Sequence, residues 1–424
     1  MKQLRVLFFL FAANIISGFA QGITMLAIPW YLIGQPAGKL LNASMVAVVT
    51  VLSLFWGMYA GTLVDKYNRK KIFLSLNGID ACILLSIAGI GFWLGDLPFA
   101  LVALVYTITI FTYNVHYPNL YAFVQELFEP HLYARVNSAI EIMGQTTSFI
   151  GMMVGGILLD GTVDLSWWPE TMRFEAWTLP EIFLLDGCTY ILGFFLLYQI
   201  PYRPSASKVI DQGRVLNRMK QGYRYLVDRP DLLLFGIASH VIFFSLLVMI
   251  QVVSPIYVKD YLQEQAVILS SFKGVYSLGA ISAGIVGFIA IVRRGNIIRQ
   301  IIGLLLLAGV LFVVLSVTQS VLLTLMSAYL LGVANAGARI RRITYLVRIV
   351  PNRIIGRVNS FLMVINVMMR ASFFVLLTIP FFADEANGGN VIYATFLLSG
   401  IMFLSAIFMM IRYRKFDHEA AVGE

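Results

Sequence analysis

The chain reads as long apolar runs separated by short polar breaks. Mostly apolar stretches occur at about 5–33, 43–64, 72–94, 98–125, 134–159 and 181–200, and again at about 231–258, 265–292, 297–317, 320–345, 356–382 and 390–412. About 20 such residues are enough to cross the hydrocarbon core of a bilayer as a helix. Helices satisfy every backbone group internally, which lipid requires. The pattern therefore predicts an all-α membrane protein with twelve transmembrane helices. An even number of spans places both termini on one side.

One polar break is long. Pro201 to Pro230 holds Val215, Met219, Tyr223 and Leu226 at helical spacing, with Arg214, Arg218 and Arg224 among them. This predicts an amphipathic helix on the cytoplasmic membrane face. The break divides the chain into an N-terminal six-helix bundle (1–200), a cytoplasmic linker (201–230), a C-terminal six-helix bundle (231–412) and a cytoplasmic tail (413–424). Asp160 to Pro180 carries Trp167, Trp168 and Trp177, and tryptophan favours the membrane interface, so this segment predicts an outer loop lying on the lipid surface.

The halves repeat each other. Pro29-Trp-Tyr31 closes the first span and Pro255-Ile-Tyr257 closes the seventh. Arg135-Val-Asn-Ser138 opens the fifth span and Arg357-Val-Asn-Ser360 opens the eleventh, each after a proline, Pro130 and Pro351. Duplicated six-helix halves joined by a linker form a transporter architecture, with the substrate site near the midplane.

Composition sharpens this reading. The chain is 59% hydrophobic and 12% charged, with a mean hydropathy of +0.82, which excludes a soluble domain. A net charge of +9 suggests a nucleic-acid partner until the charges are placed. Of the 31 lysines and arginines, only Lys39, Arg173, Lys259, Lys273 and Arg370 fall outside the segments facing one side. The basicity is thus a positive-inside bias that puts both termini in the cytoplasm, with no nucleic acid implied. Cys82 and Cys188 both fall within apolar spans, so no disulfide framework is implied. Met1 to Ala20 has the basic start and apolar core of a signal peptide, but the apolar run continues through Ile33 and belongs to the repeat, so it reads as the first span.

Between the second and third spans lies Gly61-Thr-Leu-Val-Asp-Lys-Tyr-Asn-Arg-Lys-Lys-Ile72, with the spacing G-x-L-x-D-x-x-x-R-K-K. Gly61 removes a side chain where two helices would crowd. Asp65 sits at a helix C-terminus, where a carboxylate is unfavourable, and needs a partner such as Lys66, Arg69, Lys70 or another helix N-terminus. Asn68 stands where a glycine would serve the turn. The run resembles the signature loop of the major facilitator superfamily. That resemblance implies the superfamily's fold and alternating access, with Asp65 latching the cytoplasmic side against the start of span eleven around Gly356-Arg357, and with Arg135 in the gating set. The equivalent second-half loop, Gly287 to Asn296, keeps the glycine and two arginines but lacks the acid.

Within the superfamily, Tyr117-Pro-Asn-Leu-Tyr121 through Asn137, and Gly332 through Ser360, resemble the drug:proton antiporter branch that includes macrolide-efflux pumps and siderophore exporters. Two departures weigh against its proton coupling. The fourth span has Tyr106-Thr-Ile-Thr-Ile110 where the branch often has an arginine. Gly151-Met-Met-Val-Gly-Gly156 keeps the glycines of an antiporter motif without its proline. Gly144, Gly151 and Gly155 form a stripe that suits close helix packing.

Ionisable residues at membrane depth are costly and usually face a cavity or a partner. Glu141 lies about 9 Å deeper than Arg135 on the fifth span. Glu141, Asp80 and His116 are the proton-coupling candidates, and Arg370 is the alternative ion-pair partner of Glu141. Asp186 falls near the outer end of its span and reads as interfacial; Lys273 is a further charge at membrane depth. Arg339, Arg341 and Arg342 crowd one turn of span ten, with Arg348 beyond. Arg339 and Arg342 share a face, where guanidinium forks suit a carboxylate or phosphate. Asn14, Gln21, His116, Asn119, Tyr121, His240, Gln251, Asn335 and Arg370 complete the cavity candidates.

The sequence reading is a secondary transporter of a bacterial-type inner membrane, acting as a monomer and exporting a small amphiphilic or anionic compound by proton coupling. Membrane lipid is its surroundings, and no cofactor or metal is called for. Lipid or lysolipid flipping without protons is the alternative, and a transport-inactive partner subunit is the third. An enzyme is disfavoured: no nucleotide loop or metal-ligand cluster is present, and the four histidines are scattered.

Overall fold

The computed structural model describes residues 2–129, 132–162, 173–202, 215–286, 296–351, 354–383 and 390–416. Trp167 and Trp168 lie outside them, as does the Gly287–Arg294 part of the second-half loop. Of some helical residues only the backbone is described, among them Asp65, Arg135, Glu141 and the start of the linker helix.

The chain is α-helical. Helices α1 (Lys2–Ile33), α2 (Gly38–Lys66), α3 (Arg69–Leu94), α4 (Phe99–Leu127), α5 (Tyr133–Asp160) and α6 (Leu179–Tyr198) make up the first six long helices. The linker contains α7 (Val215–Val227). Then α8 (Pro230–Val248) runs on through π-helical turns at Met249–Val253 and Tyr257–Tyr261, with the short α9 (Ser254–Ile256) between them. Pro255 has no N–H to donate, and widened turns absorb the lost bond. The remainder is α10 (Ala266–Val286), α11 (Ile297–Val317), α12 (Val321–Ile349), α13 (Ile355–Leu376), the short α14 (Pro380–Ala383) and α15 (Val391–Ile411). Among the described residues, twelve helical stretches are long and apolar enough to cross a membrane, as the sequence pattern requires.

The chain forms two compact units. One comprises residues 1–35, 52–211 and 265–270, the other 36–51, 212–264 and 271–424, so α2 and α10 are each divided between them.

In the first unit, α1 packs on α5 along a seam of small residues. A Cβ on Gly151 would meet the Phe19 carbonyl, one on Gly155 would lie 3.2 Å from Ile23 Cα, and one on Gly22 would lie 2.8 Å from the Ser148 carbonyl. Lipid gives no hydrophobic drive for one helix to leave it for another, so close backbone approach carries the packing. The glycine stripe therefore has the structural role its spacing suggested. Behind it, Val6, Leu10, Phe73, Leu120, Phe123 and Leu197 form a buried core.

In the second unit, α10 and α12 meet the same way. A Cβ on Gly279 would meet the Tyr329 carbonyl, and one on Gly332 the Tyr276 carbonyl. The Phe235, Tyr345 and Phe416 rings cluster near the start of α8 and the end of α12, where the Tyr345 hydroxyl donates to the Phe416 carbonyl at 3.0 Å. Arg412 pairs with Asp231 at 2.5 Å. The linker helix α7 packs on the start of α13: Gly222 abuts the Arg357 carbonyl, Tyr223 and Phe361 rings are 5.4 Å apart, and Leu226 is fully buried.

Candidate functional site

The loop between α2 and α3 places its cations by simple geometry. Asn68 caps α3, its side-chain oxygen accepting from the Lys71 N–H at 3.0 Å. Its φ of −62° is extended rather than left-handed, so Asn68 serves as a helix cap and not as a glycine substitute. Lys70 turns back to α6, donating to the Tyr198 and Ile200 carbonyls at 2.7 Å each. A cation at a helix C-terminus offsets the negative end of the dipole. Arg69 pairs with Glu126 at the end of α4, and the Tyr202 hydroxyl donates to the same carboxylate. Burial raises the Tyr202 pKa and the Arg69 charge opposes this, which keeps the hydroxyl a donor. Asn119 Nδ2 donates to the Arg69 carbonyl at 2.9 Å.

Arg69 and Lys70 thus reach Glu126 of α4 and the carbonyls at the end of α6, while the Asp65 side chain, their expected partner, lies outside the described residues. Gly61 is exposed, and a Cβ there meets nothing within 4 Å, so crowding within its own unit is not its reason. Glu126 and Tyr202 were missed in the sequence. The signal was present: an acid at the end of span four stands opposite the basic loop.

The first unit encloses a small polar cavity of about 40 Å³, lined by Asn14, Gln21, Asn77, His116, Thr147 and Tyr190 among others. A few waters fit such a volume. His116 Nε2 and Asn14 Oδ1 are 2.8 Å apart, which fixes Nε2 as the donor because the amide oxygen only accepts. Asn14 Nδ2 donates to the Leu10 carbonyl at 2.6 Å. Gln21 also borders this space, while Tyr121 borders a neighbouring cleft with Tyr113 and Tyr117. Asn119 is fully buried and belongs to the loop anchor instead of the cavity.

Asp80 and Asp186 are both buried in this unit. Thr112 donates to Asp80 Oδ1 at 3.0 Å and Thr24 to Asp186 Oδ2 at 2.6 Å. Asp186 is buried within the unit, next to Gly187, where α6 packs tightly onto Leu84 and Leu85 of α3. The side chains of Asp65, Arg135 and Glu141 lie outside the described residues.

In the second unit, α12 sorts its arginines by face. Arg341 turns to α11, donating to Gln300 Oε1 at 2.6 Å and to the Gly337 carbonyl at 3.0 Å. Arg342 is buried against α8, donating to the Ser239 carbonyl at 3.1 Å. Arg339 is exposed on the same face and close enough for its charge to act on Arg342 and on Tyr276 of α10. Asn335 donates to the Tyr276 hydroxyl at 2.7 Å one turn away. Among the described residues no carboxylate pairs with Arg339 or Arg342. His240 Nδ1 donates to the Gly236 carbonyl at 2.7 Å, leaving Nε2 buried beside the Arg342 charge without a hydrogen-bond partner among the described residues. Gln251 lies on the first π turn, its Oε1 buried and unpartnered among the described residues. Lys273 is buried on α10, Arg370 is half-buried on α13, and Arg348 is exposed on α12. Arg357 donates to Gln221 of the linker helix.

Comparison with known proteins matches this architecture. Residues 10–374 fit the family model described as Major Facilitator Superfamily. No curated protein matches the chain. Among solved structures, a point mutant of the nucleoside transporter NupG superposes with a TM-score of 0.75 at 12% identity, covering 96% of this chain and 99% of that one. A bacterial homologue of the iron transporter ferroportin, in the inward-facing state, gives 0.69 at 16% identity, covering 96% and 98%. The POT family transporter PepTSo gives 0.66 at 12% identity, covering 97% and 98%. Likeness at such identities is likeness of fold.

Proposed function

The chain belongs to the major facilitator superfamily of secondary transporters, and from that premise we propose that it exports a small anionic or amphiphilic compound in exchange for protons. The setting is the inner membrane of a bacterial-type cell, with both termini cytoplasmic. The observation that carries this reading is the basic face of α12. Arg339 and Arg342 stand within electrostatic reach of each other, and no carboxylate among the described residues offsets them. A guanidinium at membrane depth needs an anion or a strong acceptor. A transported carboxylate or phosphate supplies it, with Asn335 and Tyr276 alongside as polar contacts. A lipophilic cation would be repelled.

A second reading, lipid or lysolipid flipping without protons, is favoured by one feature of the first unit. An apolar groove of about 540 Å³ opens between α2, α3 and α4, lined by Trp56, Leu63, Tyr67, Lys71, Ile79 and Phe111 among others. Its size suits acyl chain, and Lys71 suits a headgroup.

One experiment separates the two. Protein in proteoliposomes under an imposed pH gradient is screened with anionic amphiphiles, drug-like cations and labelled lysolipids, following proton movement. Exchange of an anionic substrate for protons, lost in Arg339→Ala, supports the proposal. Unchanged anion transport in Arg339→Ala refutes the substrate class. Substrate movement without proton flux refutes coupling and favours flipping.

A further inference from the structure

The basic face of α12 leaves two aspartates of the first unit without a task. Asp80 on α3 and Asp186 on α6 are 2% and 1% exposed. The two helices run antiparallel, with Gly187 against Leu84 and Leu85, and Gly193 against Asn77. This register sets Asp80 level with Tyr190, one turn along α6 from Asp186, or about 6 Å along the axis. The charge of each aspartate acts on Tyr190, and that of Asp186 acts on Asp80.

Each carboxylate accepts one hydroxyl, from Thr112 of α4 and from Thr24 of α1. The remaining oxygens, Asp80 Oδ2 and Asp186 Oδ1, are buried without a hydrogen-bond partner among the described residues. Lone acceptors so deeply buried call for a donor. Three neighbours of the pair, Asn77, Thr112 and Tyr190, line the polar cavity. Around the pair, α1 offers Thr24 and Gln21, α3 offers Asn77, α4 offers Thr109, Thr112 and His116, and α6 offers Tyr190. His116 is held by Asn14. Lys71 and Tyr67 stand at the far end of the groove that Asp80 also borders. Lys71 lies nine residues from Asp80 on α3, about 13 Å away along the axis.

We propose that Asp80 and Asp186 together bind and release a single proton, and that this site is the coupling site of the transport cycle. A low-dielectric interior does not hold two adjacent negative charges. One proton, given up by a hydronium in the cavity that is left as water, forms an O–H bond on one carboxylate oxygen, leaves one charge on the pair and turns that oxygen into a donor. Thr24 and Thr112 tie the carboxylates to α1 and α4, the helices that carry Asn14 and His116, so proton occupancy is transmitted to the cavity wall. The inference rests on the coupled reading above for its use in transport.

The test is infrared difference spectroscopy of the full chain in proteoliposomes during pH jumps, without substrate, so that its failure is distinct from a failure of the flux assay. The wild type is expected to show a protonated-carboxyl band that shifts in D₂O. Asp80→Asn and Asp186→Asn are each expected to abolish it, whereas Glu141→Gln retains it. Thr24→Val keeps both carboxylates and is expected to alter the proton affinity of that band about threefold or more. A band that survives both aspartate variants, an affinity unmoved in Thr24→Val, or a band governed by sodium instead of protons overturns the proposal.

Discussion

The seam between α1 and α5 makes a quantitative prediction through Gly151→Ala. Alanine in place of glycine within a helix normally gains about 0.8–1.0 kcal/mol of propensity. At Gly151 the new methyl meets the Phe19 carbonyl oxygen and lies 3.2 Å from Phe19 Cα, and both are backbone atoms. A rotamer change cannot relieve that contact. Helix α1 must move, and close backbone approaches of 2.8 Å at Gly22 and 3.2 Å at Gly155 hold it on either side. Overpacking of this kind costs about 1–3 kcal/mol. Backbone against backbone belongs at the upper end, so the net loss is about 2 kcal/mol after the propensity gain. The control is Gly89→Ala on α3, where a Cβ meets nothing within 4 Å and the propensity gain stands alone. The two variants should differ by about 3 kcal/mol in opposite directions from wild type. At about 2–4 °C per kcal/mol, their melting midpoints should lie about 6–12 °C apart. The assay is stepwise heating of detergent-purified protein, with the folded fraction read by size exclusion. Thiol-reactive dyes are unsuitable, because Cys82 and Cys188 are both free and exposed. Equal midpoints for Gly151→Ala and Gly89→Ala would refute the close approach of α1 and α5. Since α1 carries Asn14, transport by Gly151→Ala should fall as well.

Two further outcomes follow from the loop anchor. Glu126→Gln removes the carboxylate shared by Arg69 and Tyr202, and should lower stability by about 1–3 kcal/mol in thermal unfolding, because the partly buried guanidinium loses its counter-charge. Adding Arg69→Met to Glu126→Gln should recover part of that loss; no recovery would mean that the pair is not the relevant contact. Lys70→Met strips two hydrogen bonds from the C-terminal end of α6 and should cost about 1–2 kcal/mol, with faster amide exchange confined to that end as the readout.

Much of the architecture was legible because lipid leaves few alternatives. A run of apolar residues long enough to cross the bilayer has to be helical, and twelve such runs appear where the pattern put them. The glycine stripe on span five was readable as a packing face, since only small residues let membrane helices touch. The basic loop was recognisable from its spacing, and the family match over residues 10–374 agrees with that recognition.

Side-chain partners were not legible. Sequence spacing places a residue along its helix but leaves open the angle at which its helix meets a neighbour. The burial of Asp186 could not be read from its position on span six; it follows from α6 pressing onto α3 at the neighbouring Gly187. Arg69 and Lys70 reach Glu126, Tyr198 and Ile200, partners that are distant in sequence and brought close by packing. Arg341 and Arg342 are adjacent in sequence, yet helical rotation sends one to Gln300 of α11 and buries the other against Ser239 of α8. The sequence by itself determined the helices, their number and the family. Only the tertiary structure decided which buried polar groups become partners, because that depends on helix rotation and close approach, and no single-chain periodicity records either.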